Sequence, residues 1–330
     1  MEGIWRERAP GLLAAAAIAV VAFLLGRLVP LIGGPVFAIV LGMAAAAYKR
    51  PSPRLRPGIA FASKQLLQAA IVLLGANLTL SQLGLHGWRA VPVMLGTLVL
   101  VFGAAYGLGR LLGIERDMRR LLGVGTAICG GSAIAAVSTA IGAGEADIAY
   151  SISVVFLFNI AAVLIFPALG HAMALSQHAF GLWAGTAIND TSSVVAAAYT
   201  YGPVAGDDAV ITKLTRTTLI IPLVLFYAGK RIWNARGGDR VSLRSAIPWF
   251  VLWFALSAAL NTAGIIPAAA HALITPVALF LIVFALAAVG LSANFAQMRA
   301  AGVRPILLGF VLWALIALAS LAFIRLERLG

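Results

Sequence analysis

Apolar runs of about membrane length alternate with short polar connections along the whole chain. A helix needs roughly 20 apolar residues to cross a bilayer. Runs of that kind, or a little shorter, fall at 11–28, 33–48, 59–81, 90–113, 121–142, 148–170, 179–200, 210–229, 246–264, 272–293 and 305–325. The pattern predicts an all-α polytopic membrane protein with about eleven transmembrane helices, the second of them short. No segment reads as a soluble domain. The first run follows the basic start "MEGIWRERAP", as in a signal peptide, but no small-x-small cleavage site comes directly after it. It is therefore expected to be a retained first helix.

Two runs break their apolar pattern in the same way. "GTAICGGSAIAAVS" begins at Gly125 and "GTAINDTSSVVAAA" at Gly185. Adjacent glycines are poor helix interior, costing about 0.8–1 kcal/mol each relative to Ala. Asn, Asp, Ser and Thr are the residues that cap a new helix start. Each segment is expected to be a helix, a short break and a half-helix whose N-terminus faces a protein cavity, since lipid leaves no partner for open backbone. Such an N-terminus carries unpaired N–H groups and suits an oxyanion. The expected substrate site comprises Thr126, Cys129, Gly130, Gly131 and Ser132 from the first segment and Thr186, Asn189, Thr191, Ser192 and Ser193 from the second. For "CGGSAIAAVS" tight helix packing explains the small residues equally well.

Asp190 is costly at mid-membrane unless paired or hydrated. It is expected to be the coupling site for a proton or cation, with a static ion pair to Lys213 or Arg216 as the alternative. Lys213 and Arg216 are expected either to attract an anion or to snorkel to the interface. Asn159 is expected to line the cavity or to bond a neighbouring helix. Glu145 with Asp147, and Asp207 with Asp208, are expected to be acidic loops.

Composition sharpens the class. The chain is 62% hydrophobic and 11% charged, where soluble domains are about half apolar and about a quarter charged. The net charge of +13 does not point to nucleic acid, because the basic residues fall in short loops. These are Lys49, Arg50, Arg54, Arg56 and Lys64; Arg110, Arg116, Arg119 and Arg120; Lys230, Arg231, Arg236, Arg240 and Arg244; and Arg299 with Arg304. All four groups fall on one face if eleven spans alternate. That face is cytoplasmic, so the N-terminus is expected inside and the C-terminus outside. The single cysteine, Cys129, allows no internal disulfide, and His86, His171, His178 and His271 show no metal-ligand spacing. No metal site and no cofactor are expected. The segments at 73–96 and 288–309 share a Gly, a Gln, a Gly-x-Arg and a Pro-x-x-x-Gly. Six spans separate their helices, the trace expected of an inverted-topology repeat, with chance similarity between two Gly- and Leu-rich helix ends as the alternative.

"GTAICGGSAIAAVS", "SISVVFLFNIAAVLIFPALGH", "FGLWAGTAINDTSSVVAAAYTYG" and "KLTRTTLIIP" resemble the YeiH-like family of bacterial inner-membrane proteins, which carries a sulfate-exporter label. That family is in turn distantly similar to the bile-acid symporter and cation-antiporter superfamily. The resemblance implies an extra N-terminal helix (1–30), two inverted repeats (about 33–170 and 179–325), and crossing breaks in the fifth and tenth spans, at "CGGSAIAAVS" and "AAVGLSANF". The second of these lacks the acidic residue of sodium-coupled relatives. The sequence thus predicts a secondary transporter of the bacterial cytoplasmic membrane. It would move a small anion such as sulfate or sulfite by alternating access, with proton coupling, in a bilayer and with a homo-oligomer open. A cation/proton antiporter is the main rival. A channel and an intramembrane enzyme rank below it.

Overall fold

The structure, a computed structural model, describes residues 2–29, 33–220, 222–227, 249–293, 296 and 302–326. The described residues form helices α1 (Glu2–Leu28), α2 (Gly33–Tyr48), α3 (Arg56–Gly75), α4 (Leu80–Leu111), α5 (Arg116–Ala127), α6 (Gly131–Ile141) and α7 (Glu145–Ala172). They continue with α8 (Gln177–Ala187), α9 (Thr191–Tyr201), α10 (Pro203–Thr217), α11 (Trp249–Thr262), α12 (Ala268–Leu291) and α13 (Val303–Leu326). No strand occurs among them. Among the described residues, seven helical stretches are long and apolar enough to cross a membrane, and they coincide with seven of the eleven expected spans. Large apolar side chains such as Leu13, Val99 and Leu318 stay exposed on these long helices, as lipid-facing residues do. The expected spans at 33–48 and 246–264 are the shorter helices α2 and α11.

The other two expected spans, 121–142 and 179–200, are not continuous helices. Each is interrupted, at Ile128–Gly130 and at Ile188–Asp190. The expected break at "AAVGLSANF" falls at the end of α12 and runs into residues outside the described set, as do Lys230 to Arg244 and Arg299.

The chain divides into two compact units. One is built from α1, α2, α3, α11 and α12 with residues 195–207. In it α2 packs between α1 and α12, and α3 packs on α11 and α12. A Cβ on Gly42 would come within 3.0 Å of the Gly290 Cα, so the two backbones nearly touch, as small residues permit in membrane helices. Its polar groups find local partners: Asn77 Nδ2 donates to Thr275 Oγ1 at 2.7 Å, and Asn77 Oδ1 meets His271 Nδ1 at 2.7 Å.

The other unit holds α4 beyond Leu85, α5 to α8, the start of α9 as far as Val194, α10 from Asp208, and α13. Its centre is α7, flanked by α5, α6 and α13. Aromatic packing fixes this core. Phe166 of α7 stacks on Trp183 of α8 at 4.2 Å, Phe158 stacks on Trp313 at 5.7 Å, and Trp183 Nε1 donates to Ala317 O at 2.9 Å. The first GTAI segment lies in this unit, and so does the second as far as Val194.

Candidate functional site: two hairpin tips clasped by buried cations

The repeated GTAI is the same local structure twice: the last turn of a helix. In the first copy, α5 ends as Ile128 N–H donates to Val124 O at 3.0 Å and Gly130 N–H to Gly125 O at 2.9 Å. Gly130 then adopts φ 68° and ψ −130°, a conformation that only glycine takes without strain. The reversal lets α6 begin at Gly131. In the second copy, α8 ends at Ala187, and Ile188 is extended at φ −85° and ψ 130°. Asp190 then caps α9: its Oδ2 accepts from the Ser192 N–H at 2.9 Å and also from the Ser192 hydroxyl. This is an N-cap on a buried helix start.

Both segments fold back rather than cross, which corrects their expected reading as single spans. Helix α7 is the reference. Glu115 and Asp117, at the start of α5, lie within electrostatic reach of Asp147 at the start of α7. A Cβ on Gly125 would lie 3.1 Å from Val155 Cγ2 and 2.7 Å from Ile134 Cδ1. So α5 runs parallel to α7, and α6 returns beside α5. A straight helix would separate residues 125 and 134 by about 13 Å. In contrast, α8 runs antiparallel to α7, because Phe166 stacks on Trp183 while Asn159 meets residues 189 and 190. Helix α9 also returns. His178, at the start of α8, bonds Asp208 early in α10, at 2.6 Å. Were α9 to continue onward, those groups would stand about 20 Å apart. The two hairpins therefore enter this unit from opposite ends, and the two GTAI segments run in opposite directions. The crossing break that the resemblance implied in the fifth span is thus a fold-back.

The tips meet. A Cβ on Gly130 would lie 3.5 Å from the Asp190 Cβ. One lysine bridges them: Lys213 Nζ donates to Ile128 O and to Ile188 O, at 2.8 Å each. Arg216, one turn on along α10, repeats the pattern, Nε donating to Ala127 O and Nη1 to Thr186 O. Both side chains are fully buried. The last carbonyls of a helix lack intrahelical partners and carry about half a negative charge. Here α10 supplies one cation pair to both helix ends. Among the described residues neither cation lies within ion-pair distance of Asp190, whose carboxylate is engaged by Ser192. Asn159 of α7 ties down the second break: its Oδ1 accepts from the N–H groups of Asn189 and Asp190 at 3.0 and 3.1 Å.

The other expected site residues distribute around this clasp. Thr126, Cys129, Thr186, Asn189, Ser192 and Ser193 are buried, whereas Gly131, Asp190 and Thr191 are half-buried and Ser132 is exposed. Three buried polar atoms of these clasp and site residues have no partner: Thr186 Oγ1, Asn189 Oδ1 and Arg216 Nη2. The two helix starts also differ. Helix α9 is capped by Asp190, but α6 has no side-chain cap, and Gly131 faces open space. The tips thus present one uncapped helix N-terminus next to a carboxylate.

A second polar cluster had no signal in the sequence. Asp208 is 6% exposed, so it is not the loop charge its position suggested. Its Oδ1 meets His86 Nδ1 and its Oδ2 meets His178 Nδ1, each at 2.6 Å. The three donors lie within 4.8 Å of one another, an N/O set of the kind that suits Zn²⁺. Only the fold-back of α8 and α9 brings His178 to Asp208. No spacing along the chain could have revealed it.

Comparisons with known proteins agree over almost the whole chain. The family model described as conserved hypothetical protein 698 matches residues 10–309. The UPF0324 membrane protein SpyM3_0740 of Streptococcus pyogenes is 41% identical over 96% of both chains. A UPF0324 membrane protein of Clostridium tetani is 39% identical over 94% of both. The UPF0324 membrane protein spr0034 of Streptococcus pneumoniae is 40% identical over 94% of this chain and 95% of its own.

Proposed function

The chain belongs to the family described as conserved hypothetical protein 698, whose relatives are named membrane proteins, and on that premise we propose that it is a secondary transporter of a small anion. The observation that carries this reading is the clasp. Lys213 and Arg216 occupy the carbonyl ends of α5 and α8, so the negative helix ends are not available to a cation. The start of α6 is left uncapped beside the tips. Two cations, one carboxylate and two pairs of opposed helix ends sum to about +1. That field favours an anion of the sulfate or sulfite class, held by backbone N–H groups at Gly131 and Ser132. Asp190 carries the coupling charge. Its protonation makes the tips one unit more positive, which ties anion entry to proton entry. Paired broken helices meeting in one unit suit alternating access at a fixed site, and nothing in this reading calls for enzyme chemistry.

Orientation follows the same logic. Replacing two of eleven crossings by fold-backs leaves an odd number, so the termini stay on opposite faces. The basic loops at Lys49–Arg56 and Arg110–Arg120 keep the cytoplasmic side. Only the connections between the two hairpins change faces, which puts Glu145 and Asp147 on the basic side.

The test is uptake of radiolabelled sulfate and sulfite into proteoliposomes, with and without a pH gradient. Wild type should show saturable flux that the gradient drives, and Asp190→Asn should lose the gradient dependence. Absence of flux for both anions alongside intact Na⁺/H⁺ or K⁺/H⁺ exchange would replace this reading with the cation/proton antiporter. Non-saturable flux without counterflow would indicate a channel.

A further inference from the structure

At the far end of α5 from the hairpin tip, four arginines converge. Arg110 closes α4, and Arg116, Arg119 and Arg120 open α5. With Tyr106 and Tyr227 they line a cavity of about 540 Å³. Two are held in place. Arg120 bonds Asp117 at 2.9 Å and lies over the Tyr227 ring at 5.8 Å, and Arg119 lies over the Tyr106 ring at 5.9 Å. Yet Arg119 Nε and Nη1 are buried and have no hydrogen-bond partner. Leaving a charged donor unsatisfied in a buried place is costly, so the arrangement is incomplete as it stands. No carboxylate occurs among the described lining residues. Part of the wall is apolar, formed by Phe102, Leu223 and Phe226.

We propose that this cavity binds a phosphate group, presented by an anionic phospholipid or as free inorganic phosphate. The guanidinium fork matches phosphate oxygens in a bidentate way that a lysine cannot. Arg119 offers two such forks, Nε with Nη2 and Nη1 with Nη2, and its Nε and Nη1 are both without a partner. Arg110 and Arg116, both exposed, supply a second and third charge at the mouth. The change from arginines to Phe102, Leu223 and Phe226 fits the change from headgroup to acyl chain. Basic pockets between membrane helices on the positive face are where anionic headgroups are recognised. The site is separate from the hairpin tips, which begin about 12 Å further along α5, and it does not depend on the transport reading.

The purified full chain in detergent tests this, by native mass spectrometry and by thermal unfolding at fixed ionic strength. Phosphatidylglycerol, phosphatidylcholine and inorganic phosphate are added in separate arms to wild type, Arg119→Gln and Arg116→Gln. Phosphatidylglycerol should bind and raise the unfolding midpoint, whereas phosphatidylcholine should not. Arg119→Gln should weaken that binding about tenfold, the effect of losing one charge-assisted hydrogen bond. Arg116→Gln, at the exposed mouth, provides a variant whose folding is not in question and should weaken it less. Stabilisation by inorganic phosphate alone, lost in Arg119→Gln, would identify the free ion as the source. Equal stabilisation by both lipids, or unchanged phosphatidylglycerol binding in both variants, would overturn the proposal.

Discussion

Gly130 and Gly131 stand side by side at a hairpin tip and do different work. Gly130 has φ 68°, while a Cβ on Gly131 meets nothing within 4 Å. Gly130→Ala should therefore cost about 1–3 kcal/mol in backbone strain and lower the unfolding midpoint. Gly131→Ala should fold normally. If Gly131→Ala also keeps its flux, the substrate does not need the bare backbone at that position. Lys213 and Arg216 make a sharper case. Lys213→Met would orphan the carbonyls of Ile128 and Ile188, at about 1–3 kcal/mol for each buried group. A thermal melt should show a large loss of stability. An unchanged melt with abolished flux would instead mean that Lys213 serves the anion rather than the fold. Residue types alone marked Lys213, Arg216, Asp190 and Asn159 as unusual, because ionisable and amide groups are costly in apolar spans. What each one bonds was not legible, since every partner but Ser192 lies at least 25 positions away in the chain.

Hairpins are the element that the sequence pattern disguises. A fold-back of two eleven- or twelve-residue helices has the same length and apolar content as one crossing helix, so hydropathy reads both alike. The direction of α6 and α9 has a direct check. In a Cys129→Ser background, single cysteines at Glu115 and Glu145 should be labelled from one face of sealed vesicles, and one at His178 from the other. Labelling of positions 115 and 145 from opposite faces would restore the crossing helix for 121–142. The cluster of His86, Asp208 and His178 joins α4, the second hairpin and α10. Asp208→Leu removes the carboxylate that both imidazoles share. It should lower the unfolding midpoint more than His178→Ala does, because His178 is 63% exposed and Asp208 is buried.

At the scale of the whole molecule, the long apolar runs and the short basic loops between them were enough to establish a multi-pass helical membrane protein. These properties are additive along the chain: a bilayer tests each run for length and apolarity, and each loop for charge, nearly independently. The doubled GTAI was likewise visible as two disturbed helices of one kind. Tertiary structure decided the rest. It turned the two similar segments into opposed hairpins, because glycine at positive φ and an Asp N-cap permit a reversal without demanding its direction. Packing of α5 and α8 against α7 then chose that direction. Contacts across the fold also placed Lys213 and Arg216 on the carbonyl ends of both hairpins and gathered four arginines around one cavity. Buried polar groups must find partners wherever the fold brings them, and those partners are set by packing, not by proximity in sequence.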